Sequence, residues 1–484
     1  MSSLGFGCGT SSSGTTNGGV LSQLVATGAC DSHLTANPDT TFWRARVQKC
    51  TNYAYESILQ SFNGSVTFGS EVNVTLNRTG DLLYWMYVVI HIPGIAAVAA
   101  ASDNTLLRKC LSGANQFPWA SSCNPCDDEP EVTACKTIHD PFVDELDDMD
   151  FDEFEDLDAC SGLKKPYCNW VNEIGHAAIC RAMFSIGGQH IDSVYSHYLH
   201  MWEELSGQPG KRLEEMVGKR MTRQQLVADS AKDRVLYVPI PFYFTRHSGN
   251  ALPLVSLQFH SVQVHVSFTQ LSKLIQVSDS DVTVVRCSTG QAITQNDIAA
   301  QLDVTYIYLD MEERDRFAVG SFQQLVSQVQ HATYSGKQDH ISTQLNFNHP
   351  CTEIIWAAQR KCASDANNTF DYSGPHNTDI FQSCTLKVNN LTRFCREATY
   401  FRLKVPYEVH TNIPKNFIYC YSFALQPESC QPSGSLNFSR IDNVEFSAQL
   451  QPGVADNGVN VIIFARNWNV LRFKEGLGGI LFAN

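Results

Sequence analysis

From residue 53 onward the chain reads as short β-branched and aromatic runs punctuated by Gly, Pro, Asn and Asp. Ser65 to Leu76 (SVTFGSEVNVTL) alternates apolar and polar positions, the period of a half-buried strand. Leu82 to Ile92 is nearly continuous in its apolar character, as a strand buried on both faces is. The series continues with Val235 to Phe244, Leu252 to Phe268, Leu302 to Leu309, Ile341 to Phe347, Glu353 to Ala358, Thr399 to Val409, Phe417 to Leu425, Asp442 to Leu450 and Val459 to Phe464. Many short strands at this spacing predict sandwiches or barrels. Helical spacing is rare. Lys211 to Val227 carries Leu213, Met216 and Val217 on one helical face, whereas Phe322, Leu325, Val326 and Val329 fit a helix or an alternating strand equally well. Leu82 to Ala101 has transmembrane length, but Pro93-Gly94 interrupts it and no cationic flank follows, so a buried strand and an Ala-rich loop are expected.

The strand pattern repeats. Leu252, Leu254, Phe259, Val262, Val264, Val266 and Phe268 stand against Gly434, Leu436, Ile441, Val444, Phe446, Ala448 and Leu450 at a constant offset of 182. Each segment follows a strand ending in a Pro-containing turn (Leu236 to Phe244, Ile418 to Pro427). Each precedes another alternating strand, Val304-x-Tyr306-x-Tyr308 or Val459-x-Val461-x-Ile463. A repeated strand trio predicts an all-β chain with two copies of one sandwich, spanning 37–316 and 317–484 and joined near Glu312 to Val319, where EERDR supplies a charged connection. Residues 1–36, rich in Gly, Ser and Thr, read as a flexible arm.

Charge changes the picture in one place. The net charge of −14 is carried by the stretch from Asp127 to Asp158, with 15 acidic residues and one basic; the remaining 452 residues hold 34 of each. The sandwiches are therefore neutral. Lys and Arg gather only at Lys164-Lys165 and at Lys219, Arg220 and Arg223, too sparsely to coat a phosphate backbone, so direct nucleic-acid binding is not expected. Residues 1–43 contain no Lys or Arg, and Ser2 excludes myristoylation; secretion by the usual signal-peptide route is not expected. Of the 17 cysteines, Cys123-x2-Cys126 is a single CxxC pair followed by Cys135, Cys160, Cys168 and Cys180. A zinc ribbon needs two such pairs, so free thiols are expected, with zinc or disulfides as the alternatives.

Against this background the segment Val238 to Val266 (VPIPFYFTRHSGNALPLVSLQFHSVQVHV) resembles the major capsid proteins of nucleocytoplasmic large DNA viruses, such as iridoviruses and chlorella viruses. Pro432 to Asn443 (PSGSLNFSRIDN) resembles that family's Ser-Gly-Ser-x-Asn-Phe-x-Arg turn, and Ala465 to Phe473 (ARNWNVLRF) its ending. Asp81 to Gly94 and Gly210 to Arg212 fit more loosely. The family often has Asp where His247 stands, and the acidic, Cys-containing insertion at about 96–168 has no counterpart known in it. The resemblance implies a double jelly roll of two eight-stranded sandwiches, a homotrimer of pseudo-hexagonal outline, and a place in the icosahedral shell of the virion, assembled in the host cytoplasm. It implies as partners the neighbouring capsomers, the minor capsid and penton proteins and an internal viral membrane. A minor or penton jelly-roll component, or a carbohydrate-binding or metal-dependent jelly-roll protein, is the alternative.

The residues that carry the resemblance are Arg246, Ser248, Gly249, Leu252, Pro253, Gly434, Asn437, Phe438 and Arg440. They are expected to act structurally, with Gly249 permitting an unusual backbone angle and Arg246 bracing a loop or a trimer contact. His197, His200 and Glu203 or Glu204 (HYLHMWEE) would share a helical face, but the spacing is not that of a metalloenzyme. GFGCG at Gly5 to Gly9 lacks the flanking strand and helix of a phosphate loop, and GxSxG is absent. No catalytic residue, cofactor or metal is therefore expected. Sequons at Asn63, Asn73, Asn77, Asn367, Asn390 and Asn437 arise by chance at this length. In the acidic segment, Asp144, Glu145, Asp147, Asp148, Asp150, Asp152 and Glu153 are interleaved with Leu146, Met149, Phe151 and Phe154. That pattern suits a solvated loop, with docking to a basic partner or cation binding as alternatives. Deleting Asp127 to Asp158 is expected to leave the trimer intact by light scattering. Loss of the trimer would make the segment structural.

Overall fold

The computed structural model describes residues 50–99, 167–208, 210–211, 213–278, 282–455 and 458–482, with a few positions between 25 and 37. Met1–Asn52 and Tyr53–Asn484 are separate units, and the architecture below belongs to the second. The acidic residues Asp144 to Glu153, the Cys123-x2-Cys126 pair and the expected arm lie outside the described residues.

The first sandwich is built from β1 (Tyr53–Ser61), β2 (Glu71–Thr75), β3 (Leu82–Ile92), β4 (Ile179–Ile186), β5 (Gln189–Tyr195), β6 (Arg234–Pro239), β7 (Val262–Phe268) and β8 (Ala299–Leu309). Its sheets run β1-β8-β3-β6 and β2-β7-β4-β5. The second contains β9 (Phe322–Gly336), β10 (His340–Gln344), β11 (Pro350–Arg360), β12 (Phe381–Val388), β13 (Leu391–Glu397), β14 (Tyr419–Ser422), β15 (Val444–Leu450) and β16 (Val459–Lys474). Its sheets run β9-β16-β11-β14 and β10-β15-β12-β13. The strand order is that of a jelly roll, written twice. β7 and β15 begin and end at the offset of 182 read from the sequence, so the echo is that of matching strands.

Alternation sets which face is core. In β7, Val262, Val264, Val266 and Phe268 are buried while Gln263, His265 and Ser267 alternate outward. They belong to one apolar cluster with Met86, Val88, Ile90, Leu302 and Val304 of the opposing sheet. In the second sandwich Trp356 fills the centre, with Phe401 at 5.2 Å, Phe446 at 5.4 Å and Tyr419 at 6.2 Å between ring centroids. The turn before β15 needs Gly434: its φ is +141°, and a Cβ there would lie 2.9 Å from the Phe423 carbonyl oxygen.

Several expectations change. Thr399 to Val409 reads as a strand, but Tyr400–Lys404 is a π turn running into an α-helix at Val405–Val409. Its apolar residues sit at helical spacing, Phe401 and Val405 inward, which short-range β propensity masks. The residues after Ile92 form a second strand, Ile95–Ala99, paired with Val282–Arg286, in place of a loop. Lys211 to Val227 divides into Glu214–Val217 and Arg223–Ser230, because Gly218 at φ +81° ends the first helix. Phe322 to Val329 is strand, and the connection near Glu312 is an exposed helix, Met311–Val319, capped by Asp310. No helix among the described residues is long and apolar enough to cross a membrane. Cys168, Cys351, Cys384 and Cys420 are buried free thiols.

Replacing Trp356 with Ala should lower unfolding stability by about 3–5 kcal/mol, read as a shifted denaturant midpoint. A change under about 1 kcal/mol would mean that the aromatic cluster does not set the core of the second sandwich.

Candidate functional site at the seam between the sandwiches

A sandwich sheet has two faces, and the outer face of β9-β16-β11-β14 is not left to solvent. β11 is buried along almost its whole length, including positions that point away from its own core. The cover comes from the first sandwich. β5 lies against β9: the backbone N–H of Val329 donates to Asp192 Oδ1 at 3.0 Å, and Gln328 Nε2 donates to the Ile191 carbonyl. Tyr195 stacks on His331 at 4.5 Å. With α1 spanning Ile174–Ala178 ahead of β4, the chain after β5 turns into α2 (Ser196–Ser206), whose two flanks carry different chemistry.

One flank is aromatic and cationic. Tyr198 packs edge-on against Phe464 of β16. Two guanidinium groups lie over Trp202, Arg246 of the first sandwich and Arg466 of the second, each 4.4 Å from its ring centre. Arg246 also donates to Tyr198 Oη at 3.2 Å. Beneath them Glu353 of β11 is fully buried, 3.1 Å from both Arg466 Nε and His410 Nε2. Those approaches lie outside hydrogen-bond angles, so Coulomb attraction holds them. His410 Nδ1 in turn meets Glu428 Oε1 at 2.9 Å.

The other flank is a hydrogen-bonded cluster. Asn416 of the second sandwich donates to His200 Nε2 at 2.8 Å, which leaves His200 Nδ1 to donate to Glu173 Oε2 at 2.7 Å. His176, on α1, meets the same oxygen at 3.3 Å. Lys219 Nζ lies 2.8 Å from Glu173 Oε1 and 2.5 Å from Glu204 Oε1. Burial opposes ionisation of Glu173, yet His200, its two histidine hydrogen bonds and Lys219 outweigh this and hold its carboxyl well below the usual range. Glu173, His176 and His200 bring three potential ligand atoms within 4.8 Å of one another. Lys219 already balances the carboxylate, so the cluster is electrostatically closed without a cation. His197 shares the face of α2 with His200, both rings packing on Phe370 and Tyr372, but does not join the cluster: burial pushes it down to about 3, and as a neutral ring it pairs with Tyr372 Oη at 2.8 Å. Backbone contacts finish the flank, Asn412 N–H to the Leu205 carbonyl and Lys415 N–H to Glu204 Oε2, both at 3.0 Å.

The motif residues separate by role. Arg246 braces buried α2 by its contacts to Tyr198 and Trp202, while Ser248 and Gly249 form an exposed 3-10 turn with His247. Gly249 does not adopt a positive φ, contrary to expectation; a side chain there would instead crowd the His247 ring at 3.1 Å. Leu252 and Pro253 are buried and pair with Leu83 and Leu82 of β3. Asn437 caps the turn after it by accepting from Ser439 N–H, Phe438 is buried against Phe347 and Phe423, and Arg440 is exposed. Sequence reasoning missed Glu173, Trp202, Glu353 and His410. The available signal was a charged residue opening an otherwise apolar strand, CTEIIWAA, which demands a buried partner.

A family profile described as the large eukaryotic DNA virus major capsid protein matches residues 313–479, and one for the major capsid protein N-terminus matches 41–110 and 153–310. The major capsid protein of Pyramimonas orientalis virus is 31% identical, the alignment covering 96% of this chain and 100% of that one. That of Paramecium bursaria Chlorella virus 1 is 28% identical at the same coverage. A quasi-atomic structure of the PBCV-1 capsid matches with a TM-score of 0.66 at 23% identity, covering 92% of this chain and 100% of that one. The Faustovirus major capsid protein matches at 0.62 and 12%, covering 94% and 96%.

The seam has a pH signature. Burial opposes ionisation of Glu353, but Arg466 and His410 hold it near 2, so its contribution is present above the ordinary 4.5 and lost as pH falls toward 2. His410, raised against burial by Glu353, Cys420 and Glu428 to about 12, contributes fully below 6.5 and progressively less as pH rises. Asp192 runs the other way: burial raises it from 3.8 to about 7 despite its hydrogen bonds, so its ionisation weakens the fold across that interval. Asp192→Asn keeps an oxygen for Val329 and Ser193. Its stability relative to the parent should climb between about pH 4 and 7 and then level off in denaturant titrations; a flat difference would mean that Asp192 ionises freely. Glu353→Gln leaves Arg466 buried without its counter-charge and His410 with Glu428 alone, and should cost about 3–5 kcal/mol at about pH 6.

Proposed function

The chain belongs to the family of large eukaryotic DNA virus major capsid proteins, and on that premise we propose that it forms the icosahedral shell as a homotrimeric capsomer of pseudo-hexagonal outline. Its work is structural, in the capsid of the virion. The observation that carries the trimer is the repeated strand order: two like sandwiches per chain give three chains six like lobes, which fit a hexagonal lattice with quasi-equivalent edges. A minor or penton component with a single sandwich is disfavoured by the same repeat.

In this reading the two jelly rolls span 37–316 and 317–484, with the helix Met311–Val319 as their connection. The family residues from Arg246 to Pro253 and from Gly434 to Arg440 act as scaffold, and no catalytic chemistry is required of any of them. Neutral sandwiches pack laterally without like-charge repulsion. The neighbouring capsomers are the principal partners, with minor capsid proteins, penton proteins and an underlying membrane as further ones. Direct contact with the genome is not part of this role.

Light scattering of purified protein should give about three times the 53.9 kDa chain mass, and electron microscopy a six-lobed outline. A monomer with glycan-dependent activity would sink the reading.

A further inference from the structure

The carboxylates at the seam are answered one by one. Glu173 has His200, His176 and Lys219, and Glu204 has Lys219 and the Lys415 N–H. Glu353 has Arg466 and His410, and Asp192 accepts from the Val329 and Ser193 N–H groups. Glu203 is different. It stands on α2 beside Glu204, half-buried, and its carboxylate has neither a hydrogen bond nor an ion pair among the described residues. It lines a cavity of about 250 Å³ between α2 and β3, made wholly by the first sandwich. Trp85 and Tyr87 of β3, Leu199 and Trp202 of α2, and Leu213 and Ile240 supply the aromatic and aliphatic walls. Trp85 is 44% exposed, and its ring is held by stacking on Tyr84 at 4.7 Å. Drug-sized ligands occupy roughly 300–1,000 Å³, so an occupant of this cavity is smaller than they are.

The charges around Glu203 leave one kind of partner open. Burial opposes its ionisation and raises it from 4.5 to about 7; Lys219 and His200 pull the other way, while Glu204 and Glu173 add repulsion. The nearby cations are committed to other acceptors. Lys219 Nζ is held by Glu173 and Glu204, and Arg246, also on the cavity wall, donates to Tyr198 Oη and the Pro241 carbonyl. His176, on the same wall, has its Nδ1 against Glu173 and is kept neutral by burial. A ligand with an N–H⁺ donor would give Glu203 the charge-assisted hydrogen bond that the protein withholds, and aromatic walls attract a cationic head through the ring quadrupole. An anion would meet a like charge, and a neutral apolar molecule would leave the carboxylate desolvated and unpaired.

We propose that this cavity is a binding site for a small organic cation, an alkylammonium group whose N–H donors sit on the Glu203 carboxylate and whose alkyl part lies against Trp85 and Leu199. The site adds ligand binding to a chain whose other work is assembly, and it is complete within one copy. A free amine and the side chain of a partner's lysine present the same head group. The site needs Glu203 ionised and the ligand protonated, so affinity climbs as pH rises through about 7 and holds until the amine loses its own proton near about pH 10.

Isothermal titration calorimetry of the full chain with n-butylammonium chloride at constant ionic strength tests this. Affinity should rise about ten-fold between about pH 6 and pH 8, following the ionised fraction of Glu203. Glu203→Gln, which keeps the shape and removes the charge, should weaken binding by about ten-fold or more. Trp85→Ala should weaken it by about three-fold or more. Both variants should keep the parent's circular dichroism. Butyrate and n-butanol, of the same alkyl length, should bind about ten-fold more weakly than the ammonium, or not at all. Nα-acetyl-lysine amide separates the sources: binding as tight as that of n-butylammonium points to a partner's lysine, and failure to bind beside it points to a free amine. No heat with n-butylammonium, equal binding of butyrate or butanol, or an affinity flat in pH would overturn the site. Undiminished binding by a folded Glu203→Gln would do the same. Should that variant lose its fold, the pH profile and the two uncharged and anionic ligands on the parent still decide.

Discussion

An arginine as deeply buried as Arg466 persists only where a carboxylate is buried with it, and Glu353 is that carboxylate. The pair sits on the outer face of a sheet that would otherwise be wet. Because its charge is answered by Glu353, Arg466 can lie over Trp202, and Arg246 reaches the same ring, so the indole carries two cations from two sandwiches. Remove the carboxylate and each of these groups faces an unanswered charge. With that charge compensated, α2 can lie against the second sandwich, where β5 and the 410–416 loop add hydrogen bonds of their own.

The seam also explains an asymmetry in composition. The cores inside each sandwich are almost wholly apolar, whereas the layer between them is rich in His, Glu, Arg, Tyr and Trp. Apolar packing tolerates repacking, while a polar layer with directional partners admits one register. Two sandwiches that differ little in shape thus acquire one fixed relation to each other.

How much of this was legible in the chain depended on the range of the signal. The β7 and β15 strands announce themselves through strict alternation, and their constant offset exposes the duplication from the amino-acid pattern alone. The family motifs placed Arg246 at an important position, although its partner Trp202 lies 44 residues upstream in a segment, SHYLHMWEEL, whose aromatic and histidine content hides a helix. Thr399 to Val409 misled for the opposite reason: Thr, Tyr, Phe and Val favour strands locally, but tertiary packing of Phe401 and Val405 fixes a helical turn. Glu173 and Glu353 were illegible because a buried charge is recognised by its partners, and two that hold them, His200 and Arg466, stand 27 and 113 residues further along the chain.

The ribbon Ile95–Ala99 with Val282–Arg286 and the ribbon Cys168–Trp170 with Ile275–Val277 flank the stretch, 111–152, that the family profile for the N-terminal half passes over. Both ribbons lie outside the eight strands that make the core of the first sandwich. The chain thus departs at Ala99 and returns at Cys168 through ribbons that the eight core strands do not include. The alignment with the major capsid protein of Chrysochromulina ericina virus runs over 633 positions against this chain of 484, so the two chains differ by insertion as well as by substitution.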